Sequence, residues 1–275
     1  MSISLMSNCE PLVNKKIVQI ISNMRKVNPK LHIGFVTNGM LLTKKLSAEF
    51  IDVGVNHISF SLDGATEKTN DSIRIGGKFS KIINNIKDLV ELKREKNSIM
   101  PKISIITVSS KENVNELVDI LNLTNELGIN DLAINGLEPY DLEMESQKLW
   151  GESVNPKYEK IFEELKLLSK EKKMELSLPF LKIQPFNFCN LVMESVIDAN
   201  GHVYPCSPLS YRRKYYYNGE ESFYPRVSFG NLLEKSFDEI WYSEEYNSFR
   251  NNLLKGNFPD YCKKCLLQHK VTCAP

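Results

Sequence analysis

Several things are scarce in this chain of 275 residues, and each shortage removes a class of function. Neither sign of charge is in excess: 35 basic residues stand against 34 acidic ones, for a formal charge of +1. Without a basic surplus or a long single-sign block, neither nucleic acid nor an anionic membrane is an expected partner. No apolar run approaches the roughly 20 residues that a membrane-spanning helix needs, so no membrane partner is expected. Met1 leads into a short apolar run without a basic region before it, so no secretory signal is expected. The six cysteines are grouped as metal ligands are, in a chain rich in Lys and Glu. That usage points to the reducing cytoplasm and away from a disulfide scaffold. The length allows one large domain or two modest ones.

The informative stretch is near the C-terminus. Cys189 is followed by eleven residues, Gly201, four residues and Cys206, and after a long gap Cys262 and Cys265 enclose Lys263 and Lys264. A two-residue spacing lets both sulfurs turn to one centre. Asp198-Ala199-Asn200-Gly201 reads as a tight turn between Val196-Ile197 and Val203-Tyr204, which carries Cys206 back beside Cys189. Four thiolates around one site hold either structural zinc or an iron–sulfur cluster. Zinc ribbons usually present two tight pairs, and here only one pair is tight, which favours the larger centre. Four buried apolar cysteines are the bland alternative. Cys273, separated from Cys265 by seven residues, is read as a non-ligand.

The first two-thirds alternates strand and helix patterns. Strands are expected over Ser2–Met6, His32–Val36, His57–Leu62, Lys102–Val108 and Asp131–Asn135. Helices are expected over Asn14–Val27, from Thr43 to about Val53, and over Phe79–Lys93, Asn113–Leu127 and Pro156–Lys173. Such βα alternation implies parallel strands with helices outside and functional residues at the strands' C-terminal ends. Those ends carry Asn8-Cys9-Glu10-Pro11, Thr37-Asn38-Gly39, Ser61-Leu62-Asp63-Gly64 and Asn135-Gly136. Each alone is an ordinary turn, but together on one mouth they form a ligand-binding rim. Pro139–Trp150 reads as an acidic linker, Glu175–Pro179 as a terminal strand, Tyr211–Pro225 as a solvated surface loop and Phe237–Asn252 as one helix.

The run Cys189, Gly201, Cys206, then Gly230-Asn231-Leu232, Ile240-Trp241, Phe249-Arg250 and Cys262-Lys263-Lys264-Cys265, resembles the SPASM/twitch domain of radical S-adenosylmethionine (radical SAM) enzymes. The resemblance implies one auxiliary four-iron four-sulfur cluster on Cys189, Cys206, Cys262 and Cys265. It extends upstream. Glu10-Pro11-Leu12 is similar to the tail of the family's Gly-Gly-Glu-Pro segment, and Thr37-Asn38-Gly39-Met40-Leu41-Leu42 to its third-strand signature. Ser61 with Asp63-Gly64, followed by Arg74 and Gly76-Gly77-Lys78-Phe79, is similar to its fourth-strand region. By that resemblance Glu10 holds the methionyl amine of S-adenosylmethionine, Ser61 contacts its ribose, Arg74 takes its carboxylate, and Asn38 and Asn135 complete the cofactor rim, Asn135 near the adenine. The implied fold is α/β: a partial (β/α)6 TIM-like radical SAM barrel over residues 1–182, its first βα unit missing, with a small cluster domain over 183–275.

Two departures from the family qualify the expected activity. Asn8 and Cys9 stand where the family has glycines, so side chains occupy space meant for close backbone approach. The family's C-x-x-x-C-x-x-C loop, which ligates the catalytic cluster, is not found: eight residues precede Cys9 and none is cysteine. The chain is therefore expected to be unable to cleave S-adenosylmethionine alone, whether from a misassigned start, a split gene or a scaffold role. The parent activity implied is radical-based modification of a peptide or small molecule. The competing expectation is a zinc-stabilised, non-catalytic α/β interaction module.

Overall fold

The computed structural model describes residues 1–5 and 10–271. The readings that rest on Met6, Asn8, Cys9 and Cys273 lie outside the described residues.

Short β-branched runs and amphipathic helices alternate as their periodicities demand. In chain order they are β1 Ser2–Ser4, α1 Ile17–Val27, β2 His32–Thr37, α2 Lys44–Asp52, β3 His57–Ser61, α3 Glu67–Ile73, α4 Phe79–Glu95, β4 Lys102–Ser109, α5 Leu117–Glu126, β5 Asp131–Gly136, α6 Leu142–Gln147, α7 Pro156–Glu171 and β6 Glu175–Ser177. The six strands form one sheet in sequence order. The pairs β1–β2, β2–β3, β3–β4 and β5–β6 are parallel, with Thr37 beside Phe60 and Ser61 beside Ile106. The mixed α/β architecture with this sheet is that of a partial TIM-like barrel.

The helices bury the faces their spacing prescribes. On α4, Ile82, Ile83, Ile86, Leu89 and Leu92 are buried, and on α1, Ile17 and Ile21. Each fully buried aliphatic side chain contributes about 1.5–3 kcal/mol relative to exposure. Thr43 Oγ1 accepts from the Leu46 N–H and starts α2, as its position before the apolar repeat predicts. The first helix starts at Ile17 and not at Asn14, because Asn14 closes the preceding 3₁₀ turn and its Oδ1 accepts from the Lys16 N–H at 2.9 Å. In β5, Leu132, Ile134 and Gly136 are buried while Asp131, Ala133 and Asn135 are half-buried, the period of a strand with one polar face.

Contacts divide the chain into two units, Met1–Asn135 with Asn155–Leu178, and Gly136–Val154 with Pro179–Pro275. The stretch read as a linker belongs to the second unit and contains α6. It is held there by an Arg213–Glu138 ion pair of 2.8 Å, and its Pro139 carbonyl accepts from the Tyr216 N–H at 2.9 Å.

The rest of the second unit is small strands and short helices: β7 Val196–Ile197, β8 His202–Tyr204, β9 Arg213–Tyr217, β10 Glu220–Tyr224, β11 Gly230–Asn231, α8 Phe237–Trp241, α9 Glu244–Leu254 and α10 Asp260–Lys263. β7 and β8 pair antiparallel around the Asp198–Gly201 turn, the hairpin expected from sequence. Two expectations are corrected. The stretch Tyr211–Pro225 is not a solvated loop but a hairpin of β9 and β10 in which Tyr215 and Tyr224 are fully buried and stacked at 4.1 Å. Its turn, Asn218-Gly219, has φ of 52° and 79°, which is what a two-residue hairpin turn requires. The single helix expected over Phe237–Asn252 is two, because Ser243 Oγ accepts from the Tyr246 N–H and starts α9 afresh.

Candidate functional site

The first group of site residues lies at the C-terminal edge of the parallel sheet. Glu10 follows β1, and its carboxylate reaches across to the end of β2. Oε1 accepts from Thr37 Oγ1 at 2.7 Å and from the Leu12 N–H at 3.1 Å, while Oε2 accepts from the Asn38 N–H at 2.7 Å. A carboxylate has about four acceptor positions, so Glu10 ties two strand ends together and keeps capacity for an outside donor. Asn38 Oδ1 accepts from the Met40 N–H at 2.9 Å and shapes the turn. Gly39 follows at φ 74°, where a Cβ would press on Phe60 at 3.0 Å.

Arg74 caps the C-terminus of α3 and turns toward the strand ends. Its Nε lies 2.7 Å from Asp63 Oδ2, and Asp63 Oδ1 accepts from the Val108 N–H at 2.7 Å. Asp63 is 4% exposed, and burial pushes its carboxyl up, against the opposing pull of Arg74 and the Val108 N–H. Among the described residues the terminal nitrogens of Arg74 make no hydrogen bond, so one edge of the fork stays available to an anion. The approach of α3 to Asp63 depends on Gly64, where a Cβ would stand 2.5 Å from the Asn70 nitrogen.

Ser61 ends β3 half-buried, beside Ile106. Asn135 sits near the end of β5; its carbonyl accepts from Ser109 Oγ at 3.0 Å, and its Oδ1 is buried without a hydrogen-bond partner among the described residues. Glu10 and Asn38 thus touch, Arg74 is tied to Asp63 just past the end of β3, and Ser61 and Asn135 lie at the ends of β3 and β5. Thr37 and Asp63 hold this rim together, yet the sequence marked them only as members of turn-like strand ends.

The second group is the cysteines. Cys189 precedes a 3₁₀ turn over Asn190–Met193, Cys206 follows β8, Cys262 lies in α10 and Cys265 just beyond it. The C-x-x-C turn closes through the Cys265 N–H donating to the Cys262 carbonyl at 3.1 Å. All four cysteines are free and line one space, with Leu191, Val192, Leu209, Phe249 and Tyr261 among its apolar walls. They ring this space instead of meeting at a point: among the described residues, no three His, Cys, Asp or Glu side chains are placed to hold a single metal ion.

Backbone donors are aimed at the sulfurs. The Leu191 N–H faces Cys189, the Leu209 N–H faces Cys206, and those of Leu267 and Gln268 face Cys265. The buried Tyr224 hydroxyl accepts from the Leu266 N–H at 3.1 Å and lies within hydrogen-bonding reach of Cys265 and Tyr215. Burial nevertheless pushes the free thiols up, Cys189 to about 11 and Cys262 to about 12, with Cys206 and Cys265 also raised. Oriented N–H groups stabilise sulfur that carries negative charge, so this donor set fits a centre that takes four thiolates.

Comparison with known proteins finds the same two regions. The radical SAM superfamily matches residues 3–124, and SPASM, an iron–sulfur cluster-binding domain, matches residues 189–266. Residues 3–124 thus carry a radical SAM match and residues 189–266 a SPASM match. A tungsten-containing aldehyde ferredoxin oxidoreductase cofactor-modifying protein of Pyrococcus furiosus is 27% identical over 262 residues, 94% of this chain and 72% of that one. A GTP 3',8-cyclase of Clostridium perfringens is 31% identical over 179 residues, 64% of this chain and 52% of the cyclase. The chain thus spans about half the length of the cyclase. Streptococcus suis SuiB bound to S-adenosylmethionine aligns at a TM-score of 0.65 and 16% identity, covering 98% of this chain and 60% of SuiB. SuiB has also been solved bound to the precursor peptide SuiA. That likeness concerns the fold. Among the described residues no helix is long and apolar enough to cross a membrane.

Proposed function

We propose that these 275 residues bind S-adenosylmethionine at the C-terminal edge of the sheet and one auxiliary four-iron four-sulfur cluster on Cys189, Cys206, Cys262 and Cys265. The activity they serve is a radical-based modification of a peptide or small molecule in the cytoplasm. One observation carries this reading: four cysteines from separate elements line a single apolar space, with backbone N–H groups turned to three of the sulfurs. An iron–sulfur cluster needs room between its thiolates, whereas a zinc ion draws them to about 2.3 Å from one point. Four cysteines lining one space, with no three of the described ligand side chains placed to hold a single ion, therefore favour the cluster over the zinc-stabilised module.

In the cofactor rim, Arg74 offers the free edge of its guanidinium to a carboxylate, and Glu10 offers its remaining acceptor capacity to an ammonium group. Asn135 Oδ1 is a buried acceptor awaiting a donor, which suits an exocyclic amine such as that of adenine. When bound, S-adenosylmethionine supplies a sulfonium as precursor of a carbon radical. The given residues contain no C-x-x-x-C-x-x-C, so the polypeptide of this sequence alone is not the source of that radical. A peptide substrate is the better-supported class, by analogy with SuiB and its precursor peptide.

Anaerobic reconstitution with iron and sulfide tests the reading. The expected product is brown, with matching iron and sulfide, and Cys262→Ala loses the colour while Cys273→Ala keeps it. Stoichiometric zinc without sulfide, or full colour in Cys262→Ala, would overturn the assignment.

A further inference from the structure

The cavity lined by the cysteines has one cationic wall residue, Arg250 on α9. It is 9% exposed, which is unusual for an arginine without an acidic partner. Among the described residues no carboxylate lies within ion-pair distance of it. Its guanidinium carbon lies 4.0 Å from the Trp241 ring centroid and 4.3 Å from that of Tyr246. Nη2 donates to the Trp241 carbonyl at 2.6 Å and to Asn247 Oδ1. Nη1 is buried and makes no hydrogen bond among the described residues. Tyr246 also lines the cavity, with Arg250 over its ring, and lies within reach of the Cys206 sulfur's field.

The energetics leave a deficit. Taking a cation out of water is costly, and two aromatic faces return only part of that cost. Carbonyl and amide acceptors recover more, but an N–H left without an acceptor in an apolar wall still carries its desolvation penalty. Neutral thiols do not remove it. A centre held by four thiolates does, because it carries net negative charge in a low-dielectric space.

We propose that Arg250 is the internal counter-ion of the auxiliary cluster, with Nη1 held for the negatively charged four-cysteine centre. The inference rests on the cluster reading above and goes beyond it by assigning a residue that sets the cluster's redox behaviour. Reduction adds one negative charge to the centre, and a fixed neighbouring cation stabilises the reduced form more than the oxidised one. Arg250 therefore raises the reduction potential.

The test compares reconstituted wild type, Arg250→Gln and Arg250→Lys, each checked for iron and sulfide, by spectroelectrochemical titration. Arg250→Gln is expected to shift the midpoint to more negative potential, and Arg250→Lys to return most of the shift. A full cluster in Arg250→Gln at the wild-type potential overturns the counter-ion role and leaves the cluster reading intact. Wild type without iron and sulfide sinks the cluster reading itself, and this inference with it. If the variants do not fold, wild type grown on guanidino-¹⁵N-arginine serves instead. Electron–nuclear double resonance of its reduced cluster should show a weak ¹⁵N coupling, since Arg250 is the arginine lining the cavity. Absence of that coupling overturns the proposal.

Discussion

Arg74→Ala is the perturbation whose size and pH dependence follow most directly from the structure. Asp63 is 4% exposed and holds two partners, the Arg74 Nε and the Val108 N–H, each at 2.7 Å. Removing one partner of a buried pair typically costs 3–5 kcal/mol, but the Arg74 side chain is 27% exposed and water screens part of the interaction. The expected loss is about 2–3 kcal/mol at pH 8, or roughly a 1 M fall in urea midpoint for a slope of about 2.5 kcal/mol/M. The sign with pH is fixed by Asp63. Its folded pKa already lies above the ordinary value, because burial outweighs both partners. A carboxyl raised on folding favours the folded state below its unfolded pKa, and that advantage is lost as pH rises through the folded one. Deleting Arg74 removes a pull that lowers it, so the damage is smaller on the acid side of the folded pKa and larger on its alkaline side. Urea unfolding at pH 4 and pH 8, repeated in an Asp63→Asn background, isolates the pair. In that background the cost of Arg74→Ala should fall below about 1 kcal/mol and lose its pH dependence. An equal cost at pH 4 and pH 8, or in both backgrounds, would show that Arg74 stabilises the chain through something other than Asp63.

Two further outcomes are expected. Gly136→Ala places a Cβ 1.9 Å from the Val271 carbonyl oxygen and 3.1 Å from Trp150, and overpacking against backbone should cost at least about 3 kcal/mol. Calorimetry checks this, and an unchanged unfolding temperature would contradict the close approach. The polypeptide of this sequence, reconstituted and incubated with dithionite and S-adenosylmethionine, should yield no 5′-deoxyadenosine above a cluster-free control. Turnover there would mean that a cluster with an open iron assembles on cysteines assigned above to a closed one.

Much of this protein was legible in the chain itself. Hydrophobic period alone placed the βα alternation, because a helix face repeating every 3.6 residues, as in Ile82, Ile83 and Ile86, cannot be mistaken for the alternation of a strand. The Asp198–Gly201 turn and the C-x-x-C pair are local, so their geometry follows from neighbours in sequence. The Asn218-Gly219 hairpin was equally local, and its signal was present between tyrosines; their polar hydroxyls and the adjoining Arg212, Arg213 and Lys214 made a buried hairpin read as a solvated loop. What sequence could not decide is which polar groups are buried against which. Asp63 becomes the anchor of Arg74, Thr37 the tie of Glu10, Tyr224 the neighbour of Cys265 and Arg250 a cation beside the thiols, all through contacts between residues distant in sequence or on successive short elements. Burial and partnership depend on where the chain returns in space, and one-dimensional spacing carries no record of that.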